Sequence, residues 1–202
     1  MAKIKHDNRQ ARRSRKVLQS ALLDLLCDKT YNKITISDIT RKADLARPTF
    51  YAHYETKDHL LTSIIDEFLK KFFQLLEERD PGIEDEERDK KINISLFKIA
   101  KESEDILCLM KILDVDALFL RRFHHYWVEY TKSRVHFFQP AMDKDYFDYS
   151  TNFIAYAKFS LLKTWVDKDM DTDINLVGTL LYNLAGPPVL RTARLEYHKM
   201  VE

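Results

Sequence analysis

Four side chains able to hydrogen-bond outward, Arg47, Thr49, Tyr51 and His53, alternate through the segment ARPTFYAHYETK at residues 46–57. On a helix turning about 100° per residue, Phe50 and Tyr54 share one face. Pro48, Thr49, Tyr51 and Ala52 then point the other way, with His53 on the flank and Arg47 at the entrance. That outer face is small and polar-aromatic, with no bulky charge at its centre, so it can approach a base edge closely. Arg47 and the hydroxyls can donate to phosphate oxygens or base acceptors. Pro48 and Ala52 have no hydrogen-bonding side chain and can read only an apolar group such as the thymine methyl.

Other reactive residue types do not assemble into chemistry. Gly82, Gly178 and Gly186, the chain's three glycines, lie too far apart for a phosphate-cradling loop or a dinucleotide fingerprint. His124 and His125 are adjacent, so on a helix they diverge and cannot hold one ion as an i,i+4 pair does. Asp143, Asp145 and Asp148 lack the glycine turn and terminal glutamate of a calcium loop, and read as a solvated helix cap. No nucleophile, base and orienting group can be named together. No catalytic residue, metal site or cofactor is therefore expected. Cys27 and Cys108, in apolar surroundings, read as buried, reduced thiols.

Three short helices must position the reading face. Ser37 can accept from the N–H groups of the next turn, Asp38 suits a helix N-terminus, and Ile39 and Ala43 fall on one side. Asp44 can take the left-handed conformation of a tight turn between helices, and Pro48 is tolerated in the first turn of the next helix. Together residues 36–54 describe a helix-turn-helix. A preceding helix is expected over residues 8–27, after a disordered basic arm, with Arg9, Arg12, Arg13 and Lys16 crowding its start. Positive charge there opposes the helix dipole and implies an external anion. Tyr31 is expected to plug the gap beneath the motif. Thr56 opens a long amphipathic helix to residue 76. Residues 1–57 hold 13 Lys/Arg and 6 Asp/Glu, a surplus of 7 that leaves −6 for the remainder of a chain whose net charge is +1. A basic head on an acidic body suits a nucleic-acid binder with a separate sensing part.

Residues 35–57, and above all PTFYAHYETKDHLL at 48–61, resemble the DNA-binding motif of the tetracycline-repressor (TetR) family of bacterial regulators. The resemblance reaches back through ALLDLL at 21–26 and Tyr31, covering roughly residues 10–70. It departs from the family at Asp44, where Gly or Asn is usual, and at Ala46, where a capping Ser is usual. It implies a DNA-binding domain at 1–56 and a helical effector-binding and dimerisation domain at 57–202. It further implies phosphate contacts from Thr35 and Lys57, and backbone or base contacts from Arg47, Thr49, Tyr51 and His53. Ser37, Ala46, Pro48 and Ala52 complete the expected DNA-binding set.

With three glycines and five prolines in 202 residues, 32% of them charged, the fold class is expected to be all-α. Residues 77–91, with Pro-Gly and a charge run, read as a loop. Further helices are expected at 92–101, 104–113, 116–138, 146–167 and 174–184, the last capped by the acidic residues 171–173. Residues 148–181 resemble the C-terminal part of one TetR subgroup, whose last two helices pair with their twofold mates. On that basis Phe159, Leu162, Lys163, Trp165, Leu176, Leu180 and Leu184 are expected at a homodimer interface. Between Phe119 and Trp165 lie 14 of the chain's 24 aromatic residues. Phe119, Phe123, Tyr126, Trp127, Tyr130, Phe153 and Tyr156 are either a pocket for a flat or apolar inducer or simply core packing. No run approaches about 18 apolar residues, and no apolar signal segment opens the chain. The expectation is a cytoplasmic regulator, in the resemblance a repressor. It would bind a palindromic double-stranded DNA operator as a homodimer, without membrane contact, under a small-molecule inducer or a partner protein. The alternative is a helical interaction scaffold or enzyme in which the basic head is incidental.

Overall fold

The structure, a computed structural model, describes residues 2–79, 86–103, 110, 116–133 and 144–186. Among them are eight α-helices and no strand. The head holds α1 (Ala2–Asp28), a single 3-10 turn at Tyr31–Lys33, α2 (Ile36–Lys42) and α3 (Arg47–Tyr51). The body holds α4 (Lys57–Glu78), α5 (Glu86–Lys101), α6 (Asp116–Ser133), α7 (Lys144–Asp167) and α8 (Ile174–Ala185). The expected helix at 104–113 lies outside the described residues apart from Met110, which is buried.

Helix ends follow local chemistry, with three corrections. The cap of α2 is Thr35, not Ser37: Thr35 Oγ1 accepts from the Asp38 N–H at 3.1 Å, while Asp38 Oδ2 accepts from the Thr35 N–H at 3.0 Å. This reciprocal pair closes two of the helix's orphan donors, which Ser37, two positions on and exposed, cannot reach. α1 starts at Ala2 rather than after an arm, since Lys, Arg, Gln and Ala are all good helix formers. α5 begins at Glu86, so the expected loop is shorter. As expected, Thr56 caps α4 through the His59 N–H at 3.0 Å, and Asp173 caps α8.

One continuous apolar core runs from head to body. In the head, Leu18, Leu22, Tyr31, Ile39, Phe50 and Tyr54 close over Leu60, Leu61 and Ile64 of α4. Farther along the same helix, Leu69, Phe72, Phe73 and Leu76 turn into the body, so α4 belongs to both. In the body α5 lies against α8, α6 against α4 and α7. The α5–α8 approach depends on Gly178: a Cβ there would stand 2.6 Å from Ile94 Cγ1 and 2.9 Å from Ile94 Cα. Trp165 Nε1 donates to the Thr172 carbonyl at 2.8 Å, pinning the α7–α8 turn, in which Asp169 and Met170 take positive φ without glycine.

Candidate nucleic-acid interface

α2 and α3 meet across the turn at residues 43–46, where Asp44 has φ 51°. The Leu45 N–H donates to the Thr40 carbonyl at 2.9 Å, and the Thr49 N–H to the Ala46 carbonyl at 2.9 Å. Phe50 is fully buried and Tyr54 nearly so, their rings 5.9 Å apart. They fix which way α3 faces. Ala46, Arg47, Pro48, Tyr51 and Ala52 are exposed on the opposite side, and Thr49 and His53 are half-buried at its edges. Ala46 makes no side-chain cap bond.

Two of the outward groups are pre-positioned. Arg47 Nη2 donates to the Tyr51 hydroxyl at 3.2 Å, and its guanidinium stands 5.7 Å from the Tyr51 ring centroid. Tyr51 itself rests edge-on against Phe50, at 5.6 Å. Arginine and tyrosine are thus aligned on one surface one helical turn apart. Partial burial, then the nearby charge of Arg15, holds the His53 imidazole below its ordinary value. His53 is therefore neutral at pH 7, with one donor and one acceptor nitrogen.

Thr35 and Lys57, expected on phosphate, are engaged inside the head. Thr35 Oγ1 also donates to Asp38 Oδ2 at 2.8 Å, so its hydroxyl serves the cap. Lys57 Nζ donates to the carbonyls of Tyr31 at 2.7 Å and Ile34 at 2.8 Å, and stands 4.0 Å from the Tyr31 ring centroid. The Tyr31 carbonyl also accepts from the Ile34 N–H at 3.1 Å, while the Ile34 carbonyl lies just past the 3-10 turn, so the ammonium turns inward to bridge the two ends of the turn. Burial depresses its pKa, with Asp58 opposing. Tyr31 completes the lock: its hydroxyl donates to Asp58 Oδ1 at 2.5 Å. Burial first, then this bond, raises the Tyr31 phenol far above its usual range. Lys33 on the 3-10 turn and Arg41 and Lys42 on α2 are further cations that face solvent. Of these, Arg41 reaches Asp38 at 2.5 Å, and Lys42 reaches Asp24 at 3.6 Å. Cys27, expected buried, is exposed on α1 beyond the last core residue, Leu26.

In the body the aromatic residues divide. Phe119, Phe123, Trp127 and Tyr130 are buried along α6, and Tyr126 half-buried. Phe73 is their hub, with ring centroids 5.7 Å from Phe123, 6.2 Å from Trp127 and 5.7 Å from Tyr130. The apolar seam bordered by Phe68, Phe72, Phe119 and Phe123 has no room for a water molecule. Phe153 and Tyr156 do not join this cluster. They lie on the outer face of α7, more than half or about half exposed, because Phe159 and Leu162 hold the inner face.

The same rotation divides the expected interface residues. Phe159, Leu162 and Trp165 are core of this chain, and Lys163 is mostly buried, donating to Asp167 Oδ1 at 2.5 Å and Oδ2 at 2.7 Å. Leu176, Leu180 and Leu184 are exposed along one face of α8, and Tyr149, Phe153 and Tyr156 along the outer face of α7. Among the described residues no group of three His, Cys, Asp or Glu side chains could hold a metal. His124 Nε2 instead lies 2.5 Å from Asn152 Oδ1. No described helix is long and apolar enough to cross a membrane.

Comparison with known proteins bears on the head and the fold. The uncharacterized HTH-type transcriptional regulator YxbF of Bacillus subtilis is 50% identical over 64 residues, 31% of this chain and only 17% of that protein's length. A TetR transcriptional regulator from Streptococcus agalactiae shares the fold with a TM-score of 0.64. It is 22% identical, over 92% of this chain and 99% of that one. The transcriptional regulator FadR from Bacillus subtilis, solved with stearoyl-CoA, gives a TM-score of 0.62 at 15% identity, over 85% of this chain and 98% of that one. The profile of the family described as bacterial regulatory proteins, tetR family, matches residues 19–64, from α1 through the reading face into α4. Residues 19–64 of this chain are thus similar to the DNA-binding head of the tetR family of bacterial regulatory proteins.

Proposed function

We propose that the chain is a DNA-binding transcriptional regulator, a repressor in its simplest form, acting as a homodimer in the bacterial cytoplasm and catalysing no reaction. The observation that carries this reading is the α3 surface. Arg47 and Tyr51 are aligned and exposed, small residues stand between them, and a buried Phe50–Tyr54 base fixes their direction. An α-helix of this breadth fits a major groove. Arg47, Thr49, Tyr51 and His53 contact the duplex, with Ala46, Pro48 and Ala52 allowing close approach. Lys33, Arg41 and Lys42 supply phosphate contacts alongside.

The homodimer is supported by two apolar strips with nothing over them among the described residues. Tyr149, Phe153 and Tyr156 on α7 and Leu176, Leu180 and Leu184 on α8 repeat at three- and four-residue spacing. Exposed large side chains in such a row are what two antiparallel helices bury against their twofold mates. The body receives a small apolar ligand or a partner protein. A protein of the same fold that holds stearoyl-CoA supports an apolar small molecule as occupant. Selection of bound duplexes from a random-sequence pool tests the whole reading. A pseudo-palindrome with half-sites about one helical turn apart is expected. Recovery of no consensus, or of an asymmetric one, would reject a twofold regulator.

A further inference from the structure

The body contains a polar cluster that DNA binding does not use. Lys158 lies on the inner face of α7 beside Ala155, Phe159 and Leu162, only 5% exposed. Its ammonium donates to Oδ1 of Asn93 on α5, which is 3% exposed, and stands 4.8 Å from the ring centroid of Trp127 on α6. Trp127 is also buried, and its Nε1–H has no acceptor among the described residues. Three helices therefore bring a cation, an amide and a free indole donor to one spot, walled by Phe73, Phe123 and Tyr130.

A core built for stability alone has no use for this set. A buried cation is unfavourable unless a negative group meets it at close range. Among the described residues, Asn93 is the one hydrogen-bond partner of Lys158, and Asp89, a turn earlier on α5, acts on it only through space. An ammonium carries three hydrogens, and a neutral amide oxygen satisfies one of them. One cation with one neutral N–H donor beside it matches a single negative charge with two acceptor oxygens, which is a carboxylate rather than a phosphate dianion. Aromatic walls match an apolar body on the same molecule.

We propose that Lys158, Asn93 and Trp127 form the anchor for the carboxylate of a small organic acid with an apolar or aromatic body. The Asn93 amide oxygen holds the acceptor's position until the acid displaces it. The proposal rests on the reading of the body as an effector domain, and it names the chemical class of the effector.

The test uses the full chain and pairs of compounds that differ only in the acid group: hexanoate and hexanol, decanoate and decanol, phenylpropionate and phenylpropanol. Fluorescence of Trp127 and Trp165, the chain's two tryptophans, reports binding. At least one acid is expected to bind about tenfold or more tightly than its alcohol. Lys158→Met should abolish that preference. So should Asn93→Asp, which supplies a carboxylate from within, and circular dichroism of both variants checks that the helices persist. Equal binding of acids and alcohols, no binding of any acid, or a preference that survives in both variants would overturn the proposal. Titrating operator duplex in the same samples separates the two readings. Lys158-dependent acid binding that leaves duplex affinity unchanged upholds the anchor and rejects the effector role. Duplex release by neutral compounds alone upholds the effector role and rejects the anchor.

Discussion

Lys57 and Tyr51 sit six residues from each other and should respond to alanine in different ways. Lys57 meets two backbone carbonyls inside the head, at 2.7 and 2.8 Å. Removing it leaves both without that donor, so Lys57→Ala should lower unfolding stability by about 1–2 kcal/mol, read by denaturant titration without DNA. Unaltered stability would mean that the ammonium is free for phosphate. Tyr51 makes no such internal bond beyond Arg47, so Tyr51→Ala should leave stability nearly unchanged. It should weaken selected duplex more than random duplex, by roughly 1–3 kcal/mol if it reads a base. Equal losses on both duplexes would assign Tyr51 to the DNA backbone. Lys158 gives a residue-scale prediction in pH. Burial holds its ammonium down to about 8 from an ordinary 10.5, with Asp89 opposing. Between those values the unfolded chain binds more protons than the folded one, so stability rises with pH. Below that window both states are protonated, and the deficit is constant at about 3 kcal/mol. Lys158→Met should therefore be more stable than the parent near pH 7, by up to that amount, and the difference should narrow as pH approaches about 10. A gap that stays constant with pH would show that Lys158 titrates normally.

At the scale of elements, helix rotation about its own axis decided what was legible in the sequence. The reading helix was legible because Phe50 and Tyr54 are unambiguous: two large rings four apart leave one possible inward face. So were Asp44 in the left-handed region and the caps at Thr56 and Asp173. On α7 the same reasoning had too many apolar residues to choose between. Both Phe153 and Phe159 are large rings, and only the neighbours that α7 packs against show that Phe159 is core and Phe153 is not. Lys158 could have settled the rotation wrongly, since a lysine in a helix ordinarily marks the solvent face. The inward turn of Lys57 was likewise hidden, because it answers to carbonyls 23 and 26 residues away. Two predictions belong here. Phe153→Glu with Leu180→Glu should yield folded monomers by sedimentation, whereas a persistent dimer would move the interface off these strips. Gly178→Ala forces a Cβ against Ile94 backbone, at 2.9 Å from its Cα. Overpacking of about 1–3 kcal/mol should outweigh the gain in helix propensity of about 1 kcal/mol. The melting temperature should fall by a few degrees, and a rise would show that α5 and α8 can separate freely.

Across the whole molecule, α4 joins the head to the body. Near its start Ser63 Oγ donates to the Tyr54 hydroxyl at 3.3 Å, and Gln19 of α1 donates to Ser63 Oγ at 3.4 Å and to Glu67 at 3.2 Å. Just beyond, Arg122 of α6 donates to Asp66 Oδ1 at 2.6 Å, and the Tyr126 hydroxyl to the Asp66 carbonyl at 3.3 Å. A displacement of α6 by a ligand in the body would thus reach the head through a half-buried ion pair and a continuous core. The head carries the positive surplus and the body the negative one. Such a distribution steers DNA toward α3 and repels it from the body. Equilibrium binding of the protein to selected duplex across a salt series tests DNA recognition by α3 most directly. With at least two phosphate contacts per head, the slope of log affinity against log salt should be about −4 or steeper, and Arg47→Ala should flatten it by about two, one for each head. Affinity that is independent of salt, or a slope that Arg47→Ala leaves unchanged, would contradict recognition of DNA by this helix.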